Sequence, residues 1–532
     1  MSVIVSKKAR LHLSSAGMLS VISGLLLTAS FPPLDLSFVS WFAVVPLLKA
    51  IEKQRHSQAF KLGLLAGTVH FLTLLYWIVI VLGRYGNLNV FLSVVTCFLL
   101  CFYLSLYIGG FSLLAACSRD SRFFAFWIAV FWVGLEYVRA HFLTGFPWCL
   151  FGYSQYAHLY LIQAADIFGV YGISFLIIFV NGVVYGLFFR QKKESCRSQR
   201  IFLTCETAMA VLMLFSTLLY GRIHLTSLKR KSGSPSVNIA VIQGNIDQAV
   251  KWNPAYQKKT FRTYEKLTRT TYDSRPDLIV WPETSVPGFF QDNTDLSKDV
   301  ISLAKEAGCA FLFGSPAYRQ TAGGVRYYNR AYLITAGGKK LLCYDKVHLV
   351  PFGEYVPFKK ILAFVNRLVP AAGDFSEGAH ITPLNAGRAS LGVLICFEII
   401  FPDIAGQYAR QGANMLVNLT NDAWFGKSSA PYQHLAMAVF RAVETGKPLV
   451  RAANTGFSAI IDPGGRMIAK SGLFCEQTLT CRVHVSASEP TPYARYGDWF
   501  ALSLLIMCLI KTFMIWRHVR SGVRFSEGTR HA

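Results

Sequence analysis

The segment GVLICFEIIFPD, residues 392–403, decides how this chain is read. An apolar run climbs to Cys396, a second apolar run follows, and Glu398 stands between them. A short apolar run that stops abruptly at polar chemistry reads as a buried strand and its end. ASLGVLICFE (389–398), a helical pattern near 403–411 and ANMLVNLTND (413–422) make one strand–helix–strand unit. The alternation continues upstream. SVNIAVIQGN (236–245) and PDLIVWPET (276–284) read as strands around a helical run at 254–272, and a helix near 293–307 leads into GCAFLFGSP. RAYLITAGGKKLLCYDK turns at Gly337–Gly338 and FSAIIDPGGRMIAKS at Pro463–Gly465, as hairpins do. Strands alternating with helices predict an α/β layered fold, and the hairpins predict mixed sheets.

The rest of the chain is of another kind. It has 532 residues, 53% of them hydrophobic, with a mean hydropathy of +0.38, and its apolar residues crowd into 15–220 and 499–516. Taking about 20 apolar residues per crossing, eight spans are expected, at 15–31, 37–51, 62–82, 89–116, 123–140, 166–189, 201–220 and 499–516. Lys53, Arg55 and Lys61, then Arg119 and Arg122, then Arg190, Lys192, Lys193, Arg197 and Arg200 occupy alternate connections. The basic amino terminus (Lys7, Lys8, Arg10) and the tail from Lys511 fall on the same side. The positive-inside rule makes that side cytoplasmic, which puts both termini there and the α/β segment outside. The expected organisation is a helical bundle of seven spans in 1–222, an extracytoplasmic α/β domain in 223–495, and a last span with a basic tail in 496–532. The net charge of +24 is then mostly attraction to anionic headgroups. With no zinc finger, RNP motif or phosphate-cradling glycine loop, nucleic acid is not an expected partner.

Three strand ends in the external segment carry unusual chemistry: Trp281-Pro282-Glu283-Thr284, Tyr344-Asp345-Lys346 and Cys396-Phe397-Glu398. Taken singly each is unremarkable, since a cysteine after a strand is usually a small buried hydrophobe and a glutamate there a solvated cap. Together they make chemical sense. A carboxylate shielded from water can take a thiol proton, and an ammonium can stabilise first the thiolate and then an oxyanion. On residues alone, Cys396 is left between packing residue and nucleophile. The external segment holds Cys309, Cys343, Cys396, Cys475 and Cys481, an odd number, so at least one thiol stays free. Cys475 and Cys481 are a candidate pair. No Cys-x-x-Cys or histidine cluster of ligand spacing accompanies Cys396, so no metal and no cofactor is expected.

WPET, DKVHLVPFGEYVP and CFE resemble, in order and context, the signatures of the nitrilase or carbon–nitrogen hydrolase superfamily. The resemblance is closest to its membrane branch, the apolipoprotein N-acyltransferases. It extends through VIQGNIDQAVKW (241–252), NDAWFGKSSAPYQH (421–434) and PLVRAANTG (448–456) to the final span. It implies an α-β-β-α sandwich carrying Glu283 as general base, Lys346 as oxyanion-stabilising lysine and Cys396 as nucleophile. Glu354 and Glu398 become supporting carboxylates, and Trp252, Asn421, Trp424 and Arg451 substrate-binding or positioning groups. Phe397 stands where the family often has Tyr and is left out of the set. The resemblance further implies a phospholipid acyl donor, a diacylglyceryl-cysteine apolipoprotein acceptor and a bacterial inner-membrane location with the catalytic domain in the periplasm. Phe289, Phe290, Phe358, Trp424 and Phe425 are candidate apolar edges for acyl chains, and 352–378 is a candidate mobile element. Two rivals remain. A membrane-anchored nitrilase-type amidase would use the same three residues but give the acyl group to water. A transporter would need ionisable residues inside its spans, for which Glu136 and Asp166 are the candidates.

Overall fold

The computed structural model describes residues 14–190, 197–230, 235–355, 375–485 and 488–528. Lys7, Lys8, Arg10, Lys192, Lys193, Phe358 and most of the 352–378 segment lie outside them. The apolar half forms helices α1 (Ser15–Ala29), α2 (Val45–Ile51), α3 (His56–Leu74), α4 (Val90–Cys117), α5 (Phe124–His141), α6 (Ala165–Phe188) and α7 (Arg197–Arg230). Every one of the eight expected stretches is helical, but they differ in reach. Five helices among the described residues are long and apolar enough to cross a membrane: α4, α5, α6, α7 and the C-terminal helix. A sixth crossing is available if α3 and the following Trp77–Tyr85 segment, bent by 50°, count as one span. The 15 residues of α1 rise only about 22 Å against a hydrocarbon core of about 30 Å. Pro32 and Pro33 begin two residues beyond its C-cap and oppose its extension.

Small residues set the close approach of α3 and α4. A Cβ on Gly63 of α3 would lie 2.2 Å from Ser112 Oγ of α4, and one on Gly67 would lie 2.9 Å from Ser105 Cα. This GxxxG spacing lets the two backbones approach, as in many membrane helix pairs. The carboxylates a transporter would need are tied to the chain instead. Glu136 accepts from the Phe151 amide at 2.7 Å, and Asp166 accepts from Tyr220 Oη at 2.5 Å.

The second half is a pair of six-stranded sheets. Strands β1 (Ser236–Gln243), β2 (Leu278–Val280), β3 (Ala310–Thr321), β4 (Gly324–Ile334), β5 (Leu341–Asp345) and β12 (Gln477–His484) form one, in the order β12-β1-β2-β3-β4-β5. The other is β6 (Leu384–Ala386), β7 (Ala389–Ile395), β8 (Met415–Thr420), β9 (Leu449–Ala453), β10 (Ala459–Ile461) and β11 (Met467–Lys470), in the order β11-β10-β9-β8-β7-β6. Each has a parallel triplet, β1-β2-β3 or β7-β8-β9, continued by an antiparallel meander. The two sheets thus repeat one plan that no repeated sequence announces.

Alternation along β1 explains the layering. Ile239 and Val241 join the core shared with the second sheet, while Ala240 and Ile242 face helices α8 (Pro254–Arg269) and α9 (Asp295–Ala307). Both faces are buried, so the strand reads as an unbroken apolar run. Helices α10 (Pro402–Arg410) and α11 (Ala430–Thr445) cover the second sheet and complete an α-β-β-α sandwich. All of α11 but Tyr432 is buried, because its far side packs on the membrane helices. Gln433 on α11 makes the junction. Its Oε1 accepts from Trp77 Nε1 (3.3 Å) and Trp148 Nε1 (2.8 Å), and its Nε2 donates to the carbonyls of Leu74 (3.2 Å) and Pro32 (3.5 Å). Phe425 adds an edge-on contact to Trp77 at 5.0 Å.

Candidate active site

The three strand ends meet. Glu283 follows β2, Lys346 follows β5 and Cys396 follows β7, and the side chains of the first two are buried while Cys396 is partly exposed. Cys396 adopts φ 54°, the left-handed region that a non-glycine residue enters at a cost of about 1–3 kcal/mol. Its surroundings hold it there. Ile395 N–H donates to Glu398 Oε2 at 2.7 Å, and Asn418 Nδ2 donates to the carbonyls of Leu394 (3.0 Å) and Cys396 (3.4 Å). The result is a sharp strand-to-helix turn that carries the thiol at its apex.

Glu398 fastens this turn to the lysine. Its Oε1 accepts from Tyr344 Oη (2.8 Å), Val347 N–H (2.7 Å) and His348 N–H (3.1 Å), so one carboxyl group ties together the backbones beside Lys346 and Cys396. Burial raises Glu398 to about 7, against the opposing pull of Lys346 and the hydrogen bonds. The neighbouring Asp345 accepts from Arg330 Nε at 2.5 Å and Arg319 Nη2 at 2.7 Å, which locks the end of β5. Glu283 is aimed from the other side. Its turn lies so close to β3 that a Cβ on Gly314 would stand 2.4 Å from the Thr284 nitrogen, a position open only to glycine.

A hydrogen-bond relay connects Glu283 and Lys346. Asn329 Nδ2, on β4, donates both to Glu283 Oε1 (2.8 Å) and to Glu354 Oε1 (2.9 Å), and Glu354 Oε2 pairs with Lys346 Nζ at 2.8 Å. Glu354 Oε2 also accepts from the Val350 amide at 2.8 Å. Glu283 Oε2 is buried and has no hydrogen-bond partner among the described residues, so it is available for a proton. Burial would depress Lys346, but Glu354, then Cys396, Glu283 and Glu398, outweigh it and raise its pKa, so the ammonium persists. Desolvation and then Glu283 push the Cys396 thiol well above its usual value, against the pull of Lys346. The resting sulfur is a thiol and needs a base to become a nucleophile.

The four residues named for substrate contact are placed unequally. Trp252 is half exposed beside the site, and Trp424 is partly exposed with its ring edge-on to Tyr85 of the membrane half at 5.2 Å. Asn421 and Arg451 spend their polar atoms on the protein itself, which suits positioning better than substrate contact. Asn421 Nδ2 donates to Gln248 Oε1 (2.7 Å) and its Oδ1 accepts from Asn454 Nδ2 (3.0 Å). Arg451, wholly buried on β9, donates to Asn418 Oδ1, to the Phe457 carbonyl (3.1 Å) and to Asp422 Oδ2 (2.7 Å). Asp422 in turn faces His434 Nδ1 at 3.1 Å. Burial alone would raise Asp422, but Arg451 and His434 more than offset it and hold the carboxyl below the usual range. The Phe397 ring packs against Phe401 (5.2 Å) and His348 (6.2 Å). Cys475 and Cys481 are both free, so the expected pairing does not form.

Sequence reasoning missed Asn329, Asp422, His434 and Lys251. The signal for Asn329 was a polar side chain inside an otherwise buried stretch of β4. Lys251 directly precedes the flagged Trp252, and its Nζ donates to the Glu283 carbonyl at 3.1 Å.

Known proteins match both halves. Residues 23–183 match the apolipoprotein N-acyltransferase N-terminal domain, and residues 238–493 match the carbon–nitrogen hydrolase family. The apolipoprotein N-acyltransferase of Geobacter metallireducens is 43% identical over 489 residues, covering 91% of this chain and 92% of its own. Those of Methylococcus capsulatus and Haemophilus influenzae are 35% and 32% identical, each covering 92% of this chain and 94% of theirs. Among solved structures, a carbon–nitrogen hydrolase from Helicobacter pylori G27 aligns over 50% of this chain and 94% of its own, at 16% identity and a TM-score of 0.37. With a helical half and a hydrolase half that match in their order along the chain, and with relatives aligned over most of its length, the protein belongs to the apolipoprotein N-acyltransferase family.

Proposed function

We propose that the protein moves an acyl chain from a membrane phospholipid, through a thioester on Cys396, to the amino-terminal amine of a diacylglyceryl-cysteine apolipoprotein. Glu283, Lys346 and Cys396 form the triad, with Glu354 and Glu398 in support. Glu283 takes the thiol proton and the sulfur attacks the ester carbonyl. The oxyanion forms beside Lys346. Glu283 then returns the proton to the departing lysophospholipid oxygen. In the second half the acceptor amine attacks the thioester and gives a proton to Glu283, and the amide leaves as the released sulfur takes that proton back. Hydrolysis is suppressed because the base and the lysine are buried away from water.

The observation that carries this reading is the seating of the nucleophile's turn, through α11 and Gln433, directly on apolar helices. A hydrolase of soluble amides has no need of that base. The accompanying topology is eight spans, with the two short amino-terminal helices counted, both termini in the cytoplasm and residues 223–495 in the periplasm. Trp252 and Trp424 line the approach of the lipid.

Intact-protein mass spectrometry after incubation with phospholipid tests the reading. One acyl chain should be added, be released by neutral hydroxylamine, and be absent from Cys396→Ala. A diacylated lipopeptide should then discharge it to its own amine. Discharge to water alone would identify the amidase, and full activity in Cys396→Ala would remove the nucleophile from the scheme.

A further inference from the structure

The site contains a second buried lysine. Lys251 ends the short helix Gln248–Lys251, is 2% exposed, and points its ammonium at the main-chain carbonyl of Glu283. Its neighbour Trp252 is half exposed, so within one residue the chain passes from the surface to the reaction centre. Glu283 and then Cys396 favour the ammonium, whereas burial opposes it and brings Lys251 down to about 8. The charge therefore lies within electrostatic reach of both the base and the nucleophile.

The balance of charge shows what it is for. Lys346 is already engaged at 2.8 Å by Glu354, and Glu398 lies behind it. Through the acyl-transfer cycle one further negative charge travels from the Glu283 carboxylate to the Cys396 sulfur, then to the oxyanion, and back. At each step the proton sits on the partner, so the charge moves but never disappears. In a buried site an uncompensated charge costs several kcal/mol.

We propose that Lys251 is the counter-ion of the Glu283–Cys396 pair, compensating this travelling charge while Lys346 is held by Glu354. The proposal rests on the acyl-transfer reading of the same site. The alternative is that Lys251 only props the Glu283 turn through its hydrogen bond.

Three variants of the full-length protein in detergent separate the two. Lys251→Met removes donor and charge, Lys251→Gln keeps a neutral donor, and Lys251→Arg keeps both. Acyl-enzyme formation is followed by mass spectrometry from dioleoylphosphatidylethanolamine in mixed micelles. Alkylation of Cys396 by iodoacetamide is followed by peptide mapping, with exposed Cys343 as the internal reference. One pKa unit is a tenfold change in thiolate, so Met and Gln should each slow both reactions at Cys396 at least tenfold. Cys343 should label unchanged, and Arg should recover a substantial part of both rates. Wild-type behaviour of Lys251→Gln would make the lysine a prop, and rates within twofold for Lys251→Met would remove it altogether. Should the Met variant fail to fold, the Gln–Arg contrast decides alone. Absence of a thioester in the wild type would defeat the acyl-transfer reading, and the alkylation rates would still decide the counter-ion.

Discussion

Glu398 is where a single substitution should separate fold from chemistry. Its carboxyl group accepts four hydrogen bonds, from Tyr344 Oη and from the amides of Val347, His348 and Ile395. Glu398→Ala leaves all four donors without their partner in a buried place. At about 1–3 kcal/mol for each donor left unsatisfied, even the lowest value gives a loss of about 4 kcal/mol. For a unit of some 250 residues a kcal/mol shifts Tm by about 2–4 °C, so the melt should fall by about 8–16 °C. Glu398→Gln is gentler and more informative. Its amide oxygen can serve the three donors at Oε1, while its NH2 confronts the Ile395 amide, a donor facing a donor. The loss should be about 2–3 kcal/mol, or about 4–12 °C, and it falls on the turn that presents the sulfur. A displacement of 1 Å at the reacting atom costs about a hundredfold in rate. Glu398→Gln should therefore keep most of its melting temperature and lose most of its acyl-enzyme formation, measured by fluorescence melting and intact mass in the same detergent. Wild-type acylation in that variant would refute the idea that Glu398 fastens the turn.

Asn329→Asp would set a third carboxylate between Glu283 and Glu354, where one amide now serves both. Acyl-enzyme formation should fall about a hundredfold with little change in the phospholipid concentration needed, and an unchanged rate would show that the relay is ornamental. Gln433→Leu strips two indole N–H groups and two carbonyls of their shared partner. It should lower Tm by several degrees, and a melt equal to wild type would mean that the halves are held together elsewhere. The pH profile should reflect Lys251, which Glu283 and Cys396 face. Since burial lowers it to about 8, its ammonium is present below that pH and lost above it. Acyl-enzyme formation should decline above about pH 8, and Lys251→Arg should move that decline upward; a limb unmoved by Arg would assign it to another group.

The strand ends were legible because each combines a long apolar run with one abrupt polar residue. That is how Glu283, Lys346 and Cys396 stand out in the bare sequence. Glu354 and Glu398 were candidate supporting carboxylates, but the purpose of Glu398 emerges only from partners 50 or so residues away, such as Tyr344 and the Val347 amide. Asn329 and His434 were invisible for the same reason. A buried asparagine or histidine is recognised by what it faces, and pairing of strands and helices is long-range information. Crossing number was the least legible feature, because hydropathy is blind to helix length. The 15–31 stretch is mostly apolar and free of charge, yet its helix ends at Ala29, shortly before two prolines. Arg451 was named through the resemblance as a substrate-binding or positioning group; on β9 it is consumed by Asn418, Asp422 and the Phe457 carbonyl.

Adjacent residues of α11 do two jobs: Gln433 grips Trp77 and Trp148 of the helical half, and His434 faces Asp422 in the cluster behind Cys396. No hinge separates them along the helix. The sulfur is therefore held at a fixed position relative to the helical half, like a workbench bolted to the floor. Under the proposed acyl transfer a glycerolipid ester would have to be raised to that point, and a lipoprotein's amine delivered to it. Selection among lipids and proteins then becomes a question of reach: how far a headgroup can climb, and how many extended residues separate an acceptor's cysteine from its folded body.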